Sequence, residues 1–148
     1  MGTRSLTYIH DPWKDDEGKE NDRVLVNMYR QLDGYPSGHG QELAEFLCGR
    51  TIVNGINNTT PKRAANGMGC LAAQMVAHFK DGIGNIYLHT TELHQNCWQD
   101  YEYHVYPDKV IIYSMYETDK TMFEGTWQEF GKYCNKEYEE DNQWRNNV

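Results

Sequence analysis

Met68, Leu71, Ala72, Met75, Val76 and Phe79 fall at i, i+3, i+4, i+7, i+8 and i+11. That spacing gathers six apolar side chains on one face of a helix and would scatter them over both faces of a strand, so it commits 68–79 to a helix lying on a core. "KDGIG" (80–84) then stops it. Two further helices follow the same logic. In "GQELAEFLCG" (40–49), Leu43, Phe46 and Leu47 share a face and Gly49 suits the C-terminal stop. In "GTWQEFGKYCNKEYEED" (125–141), Trp127, Phe130, Cys134 and Tyr138 line one side, with Thr126 as the N-cap.

Between the helices the pattern changes to strands. "RSLTYIH" (4–10) and "RVLVNMYRQL" (23–32) form a hairpin across a polar loop, 11–22. "NIYLHTTE" (85–92) is a single strand, and "YEYHVY" (101–106) with "VIIYSMYE" (110–117) flanks a "PDK" turn. Hairpins at both ends predict an α+β domain: a mainly antiparallel sheet of about five strands with three helices packed on it. "RTIVNGINNTTPKRAANG" (50–67) reads as a short extended piece and a long loop. The tail, 142–148, is polar and is expected to fray.

A chain of 148 residues fits one domain, 1–148. Its net charge of −8 disfavours nucleic-acid binding through a basic face. The acids are scattered outside "DDEGKEND" (15–22) and "KEYEED" (136–141), which argues against mimicry of DNA. No apolar run is long enough for a membrane helix, and "MGTRSLTYIH" is not a signal peptide. Gly2 is the expected mature N-terminus, and Leu6 does not fit a myristoylation signal. Cys48, Cys70, Cys97 and Cys134 are scattered without a CxxC, so reduced thiols and a cytoplasmic location are expected, in a host cell if the protein is viral.

The densest chemistry lies in "QLDGYPSGHGQELAEFL" (31–47), where a strand meets a helix. Gly34, Gly38 and Gly40 permit backbone angles that side chains forbid, Pro36 biases Tyr35 toward an extended conformation, and Ser37 can cap the helix. A glycine-rich turn entering a helix presents free N–H groups at the positive end of the dipole and favours anions. Arg30 and Arg4 would close such a site, with Asp33, Gly34, Tyr35, Ser37, Gly38, His39 and Gly40 lining it. Lys62 and Arg63 are a second basic pair. The competing reading is ordinary turn chemistry. The stretch lacks both the Walker ending and the dinucleotide GxGxxG pattern, and no cofactor is expected. If the chain is an enzyme, His39 and Asp33 are its catalytic candidates and Glu42, two positions into the helix, would face the same site.

"HTTELHQNC" offers His89, Glu92, His94 and Cys97, but their spacing matches no common metal site and none is assigned. Tyr87, Tyr101, Tyr103, Tyr106, Tyr113 and Tyr116 suit a half-buried sheet, base stacking or an interface.

"MGTRSLT", followed by "YRQLDGYPSGHG", resembles a set of short proteins of tailed phages and some bacteria that begin with a GTRSLT-like strand and carry a DGYPSG-type turn before a helix. The resemblance covers residues 2–8 and 29–47. It implies a phage-like origin and a defined fold, and supplies no catalytic residues. The expected function is binding of a small anionic, nucleotide-like ligand, in a phage setting the sequestration of a host signalling nucleotide. The alternatives are a hydrolase or phosphodiesterase acting on a similar ligand, and a module that binds and inhibits a host protein. A homodimer through an unpaired edge such as "VIIYSMYE" is compatible with each.

Overall fold

The computed structural model describes residues 2–93, 96–116 and 121–146. The chain starts with β1 (Ser5–His10), passes through a short ribbon of β2 (Trp13–Lys14) and β3 (Glu20–Asn21), and returns as β4 (Val24–Arg30). A π-helical turn, Pro36–Gly40, runs straight into α1 (Gln41–Leu47). β5 (Thr51–Val53) and β6 (Ala64–Asn66) make a small parallel pair ahead of α2 (Gly67–Phe79). β7 (Ile86–His89), β8 (Tyr101–Val105), β9 (Val110–Ser114) and β10 (Thr121–Gly125) follow, and α3 (Trp127–Asn146) ends the described chain.

The main sheet has six strands in the order β10–β9–β8–β1–β4–β7. The expected α+β class with three helices holds, but the sheet is mixed. β1 pairs antiparallel with β4 and parallel with β8, so Thr7 has Met28 on one side and Tyr103 on the other. The parallel pair follows from the route of the chain. β7 lies at the β4 edge, so the connection from it must pass over β4 and β1 to reach β8. The 110–117 segment is not an edge: β9 is paired with both β8 and β10, and Glu117 lies outside the described residues. β10 and the β5–β6 pair had no clear period-2 signature. α3 continues through 142–146, past the end expected for it.

The helices cover one face. Ile9, Met28, Tyr103, Val105 and Ile112 point from the sheet into a core with Leu43 and Leu47 of α1, Leu71 and Met75 of α2, and Phe130 and Cys134 of α3. The stripe at 68–79 is thus the inward face of α2. Leu6, Tyr8, Glu102 and His104 alternate with these residues and face the other way, yet are also buried. Described parts of the connection after β7 bond to this face: the Asn27 amide donates to the Thr90 carbonyl at 2.9 Å and Gln99 donates to Glu102 at 3.0 Å.

Candidate functional site

The 33–40 turn is built as a hub between the sheet and two helices. Asp33 takes a left-handed conformation (φ 59°), which reverses the chain after β4. The N–H groups that would have cradled an anion are turned inward. Gly34 donates to the Thr3 carbonyl at 2.9 Å, Gly38 to Tyr35 at 2.9 Å, His39 to Asp33 at 2.7 Å and Gly40 to Tyr35 at 3.3 Å. The glycines serve close packing. A Cβ on Gly38 would stand 2.5 Å from the Asp33 carbonyl oxygen, and one on Gly40 3.0 Å from the Cys134 sulfur. Tyr103 donates its hydroxyl to the Gly34 carbonyl at 2.7 Å, and Ser37 donates to Asp141 of α3.

Asp33, Ser37 and His39 do not form a relay. The Asp33 carboxylate accepts from the Tyr35 hydroxyl at 3.2 Å, whereas the His39 ring turns into the protein. His39 is fully buried between Phe79 and Tyr103, each with its centroid 5.1 Å away. Its Nδ1 lies 3.2 Å from the Arg30 guanidinium and its Nε2 lies 2.8 Å from Thr7 Oγ1. A guanidinium has donors only, so Nδ1 accepts and Nε2–H donates to the threonine. Burial, and secondarily the charge of Arg30, pushes the imidazole pKa down to about 3. Neutral, buried and bonded at both nitrogens, His39 is a strut, and the role of general base expected for it has no solvent-facing nitrogen to work with.

Arg30 joins β4 to the turn and to α1. Its Nε donates to the Leu32 carbonyl at 2.7 Å and its Nη1 donates to both His39 and Glu42. The sequence brought Arg30 and Glu42 to one site, and the structure joins them. Arg30 itself is 7% exposed, while the Glu42 side chain is 52% exposed. Around the pair opens a cavity of about 360 Å³, lined also by Glu45, His78, Phe79, Asn85 and Ile86. Arg4 does not line that cavity, but its backbone lies against the turn: a Cβ on Gly34 would stand 2.8 Å from its carbonyl carbon, its N–H donates to the Asp100 carboxylate at 3.1 Å, and its carbonyl accepts from Asp100 at 2.9 Å. Arg63 caps α1 by donating to the Glu45 and Phe46 carbonyls, at 3.0 and 3.1 Å. Glu45, His78, Phe79 and Asn85 carried no sequence signal as a group, because they come from three separate segments.

A second polar cluster lies on the helix-free face. Asp22 meets His10 Nδ1 at 2.7 Å, His10 Nε2 meets His104 Nδ1 at 2.8 Å, and His104 Nε2 meets Glu102 at 3.0 Å. Alternation along β1 and β8 places His10 and His104 side by side, but no single-sequence spacing links residues so far apart. Of the metal candidates, His89 Nδ1 and Cys97 Sγ are 3.1 Å apart and His94 lies outside the described residues. Among the described residues no three His, Cys, Asp or Glu side chains gather as a metal would require. All four cysteines are free. No described helix is long and apolar enough to cross a membrane. No family model matches the chain, and neither does any curated protein or solved structure.

Proposed function

We propose that the chain is a small-molecule binding protein that takes an anionic, nucleotide-like ligand in the cavity at Arg30. The observation that carries this reading is the pairing of a buried guanidinium with a half-exposed carboxylate on the wall of a cavity of about 360 Å³. That volume falls in the range of small-ligand sites. Leu32 and His39 fix the guanidinium from behind, so its geometry is set before any ligand arrives. Glu42 stands where an incoming phosphate or carboxylate would bind, and its exposure lets it swing aside. Phe79 and His78 supply flat surfaces for a base, and Asn85 an amide for its edge. The chain's charge of −8 repels anions at long range, so recognition rests on this one local cation. Binding is favoured over turnover because both nitrogens of His39 are already engaged.

The test is calorimetry and thermal shift of the full chain against mono- and cyclic nucleotides, with inorganic phosphate as the minimal probe. Arg30→Lys is expected to weaken binding at least about tenfold, since a lysine keeps the charge but loses the fork. Glu42→Gln is expected to tighten it by removing the competing carboxylate. A ligand recovered intact supports a sequestering protein. Absence of a shift with every anion, or indifference to Arg30→Lys, overturns the reading and directs attention to a host protein as the partner.

A further inference from the structure

The chain Asp22–His10–His104–Glu102 has three gaps, of 2.7, 2.8 and 3.0 Å, and each needs one proton between its heavy atoms. Two neutral imidazoles bring one N–H each. With both carboxylates ionised, the third proton must come from solution. Without it, two lone pairs face each other across 2.8 Å, or an imidazole lone pair faces a carboxylate. Burial pushes the His10 pKa down and so disfavours simple protonation there. The Asp22 hydrogen bond acts against this at His10. Tyr8 stacks on His104 at 4.6 Å and Tyr106 on His10 at 4.2 Å, laying ring faces against the pair, and Tyr113 meets His104 edge-on at 5.2 Å. Among the described residues, the charged and titratable groups facing the pair include Asp22 after β3, Tyr8 on β1, Glu102 and Tyr106 at β8, Tyr113 on β9, and Cys97 on the far side of Glu102.

Both ends of the chain fasten something. Asp22 follows the exposed β2–β3 ribbon, and Glu102 accepts from Gln99 of the connection that crosses the sheet. Beneath that connection the Tyr8 hydroxyl and Asn27 Oδ1 are buried, and among the described residues neither finds a hydrogen-bond partner. Each orphaned group makes closure of the cover less favourable, and water would satisfy both if it lifted. We propose that Asp22–His10–His104–Glu102 is a proton-operated latch: it takes up one proton from solution, and with that proton bound it holds the β2–β3 ribbon and the 96–100 segment against the helix-free face of the sheet. As pH rises the proton leaves, the hydrogen-bond chain breaks at one gap, and both covers loosen. The latch is independent of the Arg30 cavity, which lies on the helix side.

The experiment is a pH titration of the full chain by histidine side-chain NMR, paired with amide hydrogen exchange of 11–22 and 96–100. Expected is one proton bound by the pair and released in a single step as pH rises, with exchange in both segments accelerating roughly tenfold in that step, the factor one charge-assisted hydrogen bond supports. His104→Gln brings two amide protons and needs none from solution, so its exchange is expected to stay slow with no step. Asp22→Asn, outside the core, likewise brings an amide proton to the first gap and is expected to abolish the step. The proposal is overturned if both imidazoles are neutral wherever the carboxylates are ionised, if exchange ignores the step, if a folded His104→Gln variant steps like the wild type, or if Asp22→Asn leaves the step in place.

Discussion

At the scale of single residues, the burial of His39 gives the fold a pH response of definite sign. His39 is neutral in the folded chain and holds off protonation until about pH 3, while an unfolded histidine takes up its proton near 6.5. Between those values the unfolded chain binds more protons, so this contribution to stability is fully present above about 6.5 and falls as the pH drops toward about 3. His39→Gln is expected to lose about 1–3 kcal/mol at pH 7, because a buried guanidinium and threonine lose good partners. It is also expected to flatten the decline between pH 7 and 4. Denaturant titrations at the two pH values check both statements, and an unchanged slope would show that another group governs acid unfolding.

At the scale of elements, α3 shows how far local sequence reaches. Thr126 was expected to cap it, and Thr126 Oγ1 accepts from the Glu129 N–H at 3.1 Å while Glu129 accepts from the Thr126 N–H at 2.9 Å. This reciprocal box satisfies two donors that the first helical turn leaves open. Its charge-favoured geometry also lowers the Glu129 pKa, first through the Thr126 backbone hydrogen bond. Thr126→Ala is expected to destabilise the protein by about 1 kcal/mol, measured by chemical denaturation. α1 is a contrast. At seven residues it is too short to stand alone, and it is held by the turn before it, by Arg63 and Arg50 on its last carbonyls, and by its apolar face. The apolar spacing at 43–47 announced a helix there. That the preceding glycines would close onto their own carbonyls was not legible, because a glycine-rich turn permits both an anion nest and a folded corner, and Tyr103, Cys134 and Asp141 decide between them.

At the scale of the whole molecule, thiols offer a direct reading of which opening exposes which region. Cys48 is exposed, whereas Cys134 is fully buried against Tyr103 and Phe130, and burial pushes its thiol pKa up to about 12. A thiol reagent at neutral pH is expected to label Cys48 within the native state and Cys134 only at the rate of global unfolding. Labelling of Cys134 well below the denaturation midpoint would mean that α3 detaches from the sheet on its own. The same two-sided organisation separates the two proposals: the Arg30 cavity sits at the helix side of the sheet and the proposed latch on the opposite face.

The sequence by itself determined what depends on near neighbours: three amphipathic helices, two hairpins, the cap at Thr126, the absence of a long apolar span, and the placing of Arg30 and Glu42 at one turn. Each is set by spacings of a few residues, where 3.6- and 2-residue periods and turn stereochemistry leave little freedom. Tertiary structure alone decided the rest. The parallel β1–β8 pair, the burial of His39, the cavity walls and the four-membered chain from Asp22 to Glu102 all join segments tens of residues apart. Contacts of that kind are chosen by which packing buries the most apolar surface while leaving the fewest polar groups unpaired, and that balance exists only when the whole chain has closed on itself.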